Sequence, residues 1–129
     1  MNGEIYQISL CQFLVMMDSY PPEDTELIMK SAALSTEIIV GMYDGRAVCF
    51  IGLAPRTLLS DTAYAWMIVT NYGQGHRILI ARYSKAFVTT MLLKYQRIVG
   101  HCFEARSAKW LLSLGAVFLS EIEFEFRRG

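Results

Sequence analysis

The spacing of hydrophobic and polar residues changes along the chain, and the first stretch predicts a short strand followed by two helices. The strand is Gly3–Ile8, the first helix runs from Ser9 to Tyr20, and the second is capped by Asp24 or Thr25 and continues through Leu34. Ser9 and Gln12 have the three-residue spacing of a capping box, which marks a helix start. Pro21 and Pro22 lack the backbone N–H that a continuing helix needs, so they end the first helix.

After Thr36 the pattern becomes that of strands. Residues rich in β-branched and aromatic types predict an antiparallel meander of three strands, Glu37–Tyr43, Arg46–Leu53 and Ala63–Thr70. Asp44-Gly45 joins the first two strands and is a strong hairpin signal, because both turn positions need a positive φ. The first half of the chain therefore predicts more sheet than helix.

The second half of the chain returns to helical spacing and then alternates. It predicts a helix of about fifteen to twenty residues that ends near Tyr95, then a strand, a helix and a strand: Ile98–Phe103, Ala105–Leu114 and Phe118–Phe126. Gly115 stands where helices often end in a left-handed residue. In Phe118–Phe126 hydrophobic and charged residues alternate, which predicts one buried and one solvated face. The whole order is β-α-α-β-β-β-α-β-α-β in one domain, residues 1–129.

Composition limits the class of protein. Hydrophobic residues make up 53% of the chain and mean hydropathy is +0.31, yet the apolar runs are far shorter than the roughly 18 residues of a membrane span. The N-terminus has no basic signal-peptide pattern, so we expect no export. The three cysteines lie in apolar segments without Cys-x-x-Cys spacing, and we expect buried free thiols in a reducing compartment: Cys11, Cys49 and Cys102.

Charge is unevenly distributed although the net charge is zero. Residues 1–60 contain three basic and seven acidic residues, whereas residues 61–129 contain nine basic and five acidic ones. No basic run accompanies this asymmetry, so we do not expect nucleic acid as a partner. The basic half is compatible with an anion-facing surface or with a polar surface for a protein partner.

The strand–helix–strand order from Arg97 onward, with Trp110-Leu-Leu-Ser-Leu-Gly-Ala-Val-Phe118 closing the helix, resembles the GNAT family of N-acetyltransferases. The resemblance implies an α/β (α+β) fold with a mixed, mainly antiparallel sheet that has helices on both faces and is splayed between Ala63–Thr70 and Ile98–Phe103. It also implies acetyl-CoA as the cofactor. Glu104 stands where the family has Asn, and Leu111 stands where it has the Tyr that acts as general acid.

The loop before the long helix is Gln74-Gly75-His76-Arg77-Ile78-Leu79. The family has Arg/Gln-Gly-x-Gly-x-Gly/Ala here, and its backbone N–H groups hold the pyrophosphate of coenzyme A. Two positions match, whereas Arg77 and Leu79 replace small residues. Two interpretations stay open: a plain turn that uses glycine for its backbone freedom, or a relaxed pyrophosphate site formed by Val69, Gln74, Gly75, His76 and Arg77.

Few residues could act as acid or base near the cleft: Tyr72, His76, His101 and Glu104. A histidine inside a strand, as His101 is, is more often structural than catalytic. Glu104 could be a base, or it could cap the following helix. Two histidines and three scattered cysteines form no metal-ligand pattern, so we expect no metal site.

A narrower likeness combines Ser9–Phe13, Trp66–Thr70, Met91–Tyr95 and Leu111–Phe118. Together these segments resemble small internal virion proteins of T7-like podoviruses, which also carry Leu at the general-acid position. The likeness implies a phage-encoded, catalytically degenerate protein without a cofactor, acting through protein contacts in virion assembly or on a host target, in the host cytoplasm or the virion. The alternative is an acyl-CoA-dependent N-acetyltransferase with a relaxed pyrophosphate loop. The hydrophobic excess also predicts a homo-oligomer or a complex with another protein.

Overall fold

A computed structural model describes residues 3–17, 29–30, 32–55, 61–101 and 105–128 of the chain. The helices and strands in these residues are β1 Gly3–Gln7, α1 Leu10–Met17, β2 Glu37–Tyr43, β3 Arg46–Pro55, β4 Thr62–Val69, α2 Arg77–Met91, β5 Arg97–His101, α3 Ala105–Ser113, β6 Val117–Phe118 and β7 Glu123–Arg127. Of the second predicted helix, Met29, Lys30, Ala32 and Ala33 are helical, and most of the remainder lies outside the described residues.

All seven strands belong to one sheet in the order β1-β2-β3-β4-β5-β7-β6. Neighbouring strands are antiparallel except for β4 and β5, which are parallel. The mixed, mainly antiparallel sheet with helices that the sequence predicts is therefore confirmed. None of the helices in these parts of the chain has the length and hydropathy of a membrane span.

The two faces of the sheet have separate hydrophobic cores. On one face, the ring of Phe13 from α1 lies 5.4 Å from the rings of Phe50 and of Trp66, in edge-to-face contacts. The other face carries the larger core, to which α2 contributes Ile80, Tyr83, Phe87 and Met91 and α3 contributes Leu111. The sheet is thus the middle layer between α1 and the pair α2 and α3.

Three local predictions are confirmed at atomic detail. The Ser9 N–H donates to Gln12 Oε1 (2.8 Å) and the Gln12 N–H donates to Ser9 Oγ (3.1 Å), which is a reciprocal capping box. Asp44 and Gly45 have φ of 50° and 74°, as a tight hairpin turn requires. Gly115 has φ of 103° and ends α3 in a Schellman motif, in which the N–H groups of Gly115 and Ala116 donate to carbonyls of the last helical turn.

The prediction of one final strand, Phe118–Phe126, is wrong. Residues 119–122 form a turn between β6 and β7, where Ser120 Oγ accepts hydrogen bonds from the N–H groups of Ile122 (3.4 Å) and Glu123 (3.1 Å). The prediction of one solvent-exposed face for this strand is also wrong at Glu125, which is only 5% exposed. Its carboxylate is bound by the guanidinium groups of Arg97 and Arg127, so its charge is compensated where it is buried.

Two further predictions need correction. The long helix ends at Met91 rather than near Tyr95, because the N–H groups of Lys94 and Tyr95 both donate to the Met91 carbonyl and tighten the chain into a turn. Cys11 is exposed rather than buried, since α1 turns its Phe13 face toward the sheet. Cys49 is buried as predicted, and Cys102 lies outside the described residues.

Candidate functional site

The loop after β4 is held against β3 by Thr70 and Gly73, two residues that the sequence analysis did not single out. The buried Thr70 Oγ1 donates to the Ala47 carbonyl (2.7 Å) and accepts a hydrogen bond from the Gly73 N–H (3.0 Å). A Cβ at position 73 would lie 1.9 Å from the Val48 carbonyl oxygen, so only glycine fits. The signal that could have found them is a threonine at a strand end followed by a glycine-rich turn.

The next three backbone N–H groups are occupied within the loop itself. The Gln74 N–H donates to the Thr70 carbonyl (3.1 Å), and the His76 N–H donates to the Gly73 carbonyl (2.9 Å). The Gly75 N–H donates more weakly to the Tyr72 carbonyl, at 3.4 Å. In this conformation the three amides of the motif are therefore not offered to a phosphate.

Gly75 itself is not required by the protein's own backbone. Its φ is not positive, and a Cβ there would meet nothing within 4 Å. The plain-turn interpretation, in which glycine supplies conformational freedom, is thus not supported at this residue. The space beside Gly75 is open to a bound molecule.

The first turn of α2 supplies unused donors. The helix has no side-chain cap, and the N–H groups of Arg77, Ile78 and Leu79 have no partner within the helix. These residues line a pocket with a volume of about 470 Å³, together with Tyr43, Gln74, Gly75, His76 and Arg82. We call it the loop pocket. A helix N-terminus carries partial positive charge, so two guanidinium groups and a helix end make this pocket suited to an anion.

One wall of the loop pocket is aromatic. The His76 ring contacts the rings of Tyr43 and Tyr72 in tilted arrangements, and its centroid lies 4.9 Å and 4.7 Å from theirs, respectively. The Arg46 guanidinium lies 4.3 Å from the centroid of the Tyr72 ring, which brings a third cation close to the pocket. Tyr72, a predicted catalytic residue, is therefore part of this aromatic cluster.

The structure brings most of the predicted cofactor-binding residues together. Gln74, Gly75, His76 and Arg77 line the loop pocket. Val69 instead packs against the hydrophobic core on the α2 face. Tyr43 and Arg82 also line the pocket, from β2 and from the second turn of α2, and no sequence motif predicts them.

The sheet opens between β4 and β5, as predicted. The two strands pair only over Thr62–Tyr64 and Arg97–Val99, although β4 continues to Val69 and β5 to His101. Gly100 lies beside this opening, where a Cβ would come within 2.6 Å of the Phe124 ring and 3.2 Å of the Ala65 carbonyl oxygen. We call the last paired residues, Tyr64 and Val99, the apex of the opening.

Two titratable side chains meet at the apex. The Tyr64 hydroxyl lies 3.5 Å from His101 Nδ1, and their rings are 5.7 Å apart. Tyr64 is half-buried, and burial raises the pKa of its phenol. Glu123 lies opposite His101 in the β5–β7 pair. Of the predicted catalytic residues, His101 is thus at the opening, while Glu104 lies outside the described residues.

At position 111, where the GNAT resemblance implies a Tyr as general acid, this chain has a leucine. Leu111 is 8% exposed and belongs to the core on the α2 face. In the parts of the chain that the structure describes, no three His, Cys, Asp or Glu residues gather as metal ligands would. Any acid–base chemistry would therefore have to use other side chains near the opening.

The fold is that of solved acetyltransferases. Over 98% of its length the chain superimposes on an IAA acetyltransferase from Bacillus cereus ATCC 14579, with TM-score 0.73, 12% identity and 100% of that chain covered. It is similar to a ribosomal-protein-S5-alanine acetyltransferase from Vibrio fischeri (TM-score 0.69, 12% identity, 98% and 93% covered). It is also similar to a polyamine N-acetyltransferase from Drosophila melanogaster (TM-score 0.70, 11% identity, 98% and 100% covered).

These similarities, together with those to two solved GNAT structures, show that the protein has a GNAT-like acetyltransferase fold. No protein-family model matches the sequence, and no curated protein matches it. At 11–12% identity the structural matches establish the fold alone. The function of the protein therefore depends on its own site residues and not on the fold.

Proposed function

We propose that this protein binds an acyl-CoA thioester along the opening between β4 and β5 and acts as an N-acyltransferase on an amine. The observation that carries the proposal is the loop pocket, which follows directly on the open end of β4 and is lined by the start of α2. A diphosphate group suits this position because it would meet both a helix N-terminus and arginine side chains.

The residues of the loop pocket fit such a group in a particular way. The amides of Gln74, Gly75 and His76 donate within the loop, so the free first-turn N–H groups of α2 and the side chains of Arg77 and Arg82 would hold the phosphates instead. Hydrogen bonds to charged groups contribute about 1.5–3 kcal/mol each. Gly75 leaves space for the approach. Bound here, the acyl thioester would supply an electrophilic carbonyl carbon and a thiolate leaving group.

A second candidate is a catalytically degenerate protein that acts by contacts with another protein or with itself. It is favoured by the buried Leu111 at the general-acid position and by the internally bonded loop amides. Exposed hydrophobic side chains on the two edge strands and in the β6–β7 turn support a partner surface or self-association: Ile5 of β1, Val117 of β6, and Leu119 and Ile122 of the turn. A role in a phage particle or on a host target rests on the likeness of sequence segments alone.

Calorimetric titration of the purified protein with acetyl-CoA separates the candidates, followed by an acyl-transfer assay. The amine panel is a polyamine and a peptide with N-terminal alanine, the classes named for two of the structural neighbours. We expect micromolar binding and transfer to at least one amine. Binding without transfer favours the second candidate, and no binding at millimolar acetyl-CoA contradicts the proposal. Light scattering behind size exclusion tests self-association.

Arginine variants test the loop pocket itself. We expect Arg77→Ala and Arg82→Ala each to weaken acetyl-CoA binding about tenfold, which corresponds to about 1.4 kcal/mol. Lys85→Ala is the matched control, because Lys85 is an exposed cation on the same helix that does not line the pocket. An equal loss in Lys85→Ala would mean that net charge, rather than the pocket, governs binding.

A further inference from the structure

We propose that Tyr64 and His101 are the catalytic acid–base pair of this protein, in place of an acid at position 111. The inference rests on the proposed acyl transfer. It assigns the proton transfers to side chains on two strands of the sheet, β4 and β5, whereas the family resemblance places the general acid on α3. Neither side chain belongs to the loop pocket, so binding and chemistry can be tested separately.

The positions of Tyr64 and His101 in the sheet support their assignment as an acid–base pair. Tyr64 is the last residue of β4 that pairs with β5, and its partner in the register is Val99. His101 follows Val99 by two residues, which places both side chains on the same face of the sheet. The distance of 3.5 Å between the hydroxyl and Nδ1 is within the looser range of acid–base partners in a ligand-free site.

The proton movements balance for a neutral amine that attacks a thioester. With Nδ1 protonated, His101 donates to the Tyr64 oxygen and leaves Nε2 as the base. As the N–C bond forms, Nε2 takes the proton that the amine nitrogen loses. As the C–S bond breaks, the Tyr64 hydroxyl gives its proton to the departing thiolate, and His101 Nδ1–H returns one to the phenolate oxygen. The pair ends neutral, and the products are an amide and a thiol.

Other charged groups surround the pair. Glu123 of β7 lies opposite His101 in the strand register. Two residues away on the same face, the carboxylate of Glu125 is bound by Arg97 and Arg127. These bridges hold the pKa of Glu125 below its usual range, first through Arg127 and then through Arg97. Glu125 therefore stays ionised and does not compete for the proton.

Kinetics provide the first test. Tyr64→Phe keeps the ring and removes the hydroxyl, and we expect kcat to fall at least about a hundredfold, as the loss of acid–base catalysis implies. Binding of acetyl-CoA should stay within about twofold of the parent. In His101→Asn, kcat should fall by a similar factor. In the double variant kcat should fall no further, because the two residues act as one unit. Tyr6→Phe is the control, since Tyr6 lies on β1 at the far edge of the sheet.

The second test needs no reaction. Nitrogen NMR of the ligand-free protein distinguishes the two tautomers of His101, and we expect the Nδ1–H form in the parent. Tyr64→Phe removes the acceptor, so the signal should move toward the Nε2–H form, while Tyr6→Phe should leave it unchanged.

The outcomes separate this inference from the proposed function. A parent protein that does not bind acetyl-CoA would overturn the proposed function and the pair with it. Normal binding with kcat unchanged in Tyr64→Phe would overturn the pair alone. So would a His101 tautomer that does not respond to Tyr64→Phe. A parent that binds acetyl-CoA but transfers to no amine would overturn the pair together with the proposed transferase activity, and would leave only the proposed binding.

Discussion

The loop pocket and the Tyr64–His101 pair lie at the two ends of the same opening, and they are built in different ways. The loop rests on β3 through backbone contacts, with Gly73 against the Val48 carbonyl. At the apex the contact is instead between side chains of separate strands, Tyr64 of β4 and His101 of β5. A new side chain that meets backbone atoms has no room to adjust, whereas one that meets another side chain can be accommodated when that side chain moves. Changes at the loop should therefore affect folding, and changes at the apex should affect chemistry.

The largest expected effect is that of Gly73→Ala. The new Cβ would lie 1.9 Å from a backbone carbonyl oxygen, which no rotamer change can relieve. We expect the free energy of unfolding to fall by about 3 kcal/mol and Tm to fall by roughly 10 °C. Urea and thermal unfolding measure both. Since β3 and the loop must separate, acetyl-CoA binding should be lost as well. A Tm within a degree or two of the parent would mean that the loop does not rest on Val48.

Gly100→Ala tests a side-chain contact beside the opening and should destabilise the protein less than Gly73→Ala. Its Cβ would meet the end of the Phe124 ring at 2.6 Å, and this ring can shift although it is buried. We expect a loss of about 1–2 kcal/mol in unfolding free energy. The double variant Gly100→Ala, Phe124→Leu should cost less than the sum of its single changes. Additive losses would contradict the side-chain origin of this contact.

The loss of stability at alkaline pH should distinguish Cys49, on the buried strand β3 beneath the loop, from Tyr64 at the apex. Burial raises the pKa of Cys49 to about 12, from a usual 9.0. Between these values the thiol stays protonated in the folded protein but ionises in the unfolded chain, so stability falls as pH rises. The slope should approach about 1.4 kcal/mol per pH unit. Tyr64 is half-buried, and its pKa is raised from a higher starting value, 10.0, so it should contribute less.

Urea unfolding at several pH values from 8 to about 11 measures this slope. Cys49→Ala should remove most of it between pH 9 and 10. Tyr64→Phe should leave it nearly intact, and so should Cys11→Ala, because Cys11 is exposed. Tyr83, whose pKa is also raised by burial, adds to the loss above pH 10 in every variant. An unchanged slope in Cys49→Ala would contradict the assignment to Cys49.

The separation in the sequence between contacting residues explains what the sequence could predict. The capping box at Ser9, the hairpin at Asp44-Gly45 and the helix end at Gly115 depend on residues a few positions apart, and all three are confirmed. Tyr64 and His101 are brought together by the parallel register of β4 and β5, which no local pattern encodes.

The wrong predictions have the same physical origin. Burial of Glu125 depends on Arg97, which is 28 residues away in the sequence. The motif comparison found Gln74 to Arg77 but not Gly73, because the need for glycine there arises from the Val48 carbonyl on another strand. Patterns within one segment therefore predicted the elements, and contacts between segments determined the site.

The smallest effect on stability is expected for Gly75→Ala, which is also the matched control for Gly73→Ala in the same loop. Its φ is not positive and its Cβ would meet nothing within 4 Å, so the free energy of unfolding should change by less than about 0.5 kcal/mol. If a diphosphate approaches the loop closely at this point, acetyl-CoA binding should still weaken several-fold, because the added methyl group occupies its path. Calorimetry on a variant that melts like the parent isolates this effect. Unchanged affinity would place the phosphates farther along α2, at Arg77 and Arg82, and would leave Gly75 without a role in binding.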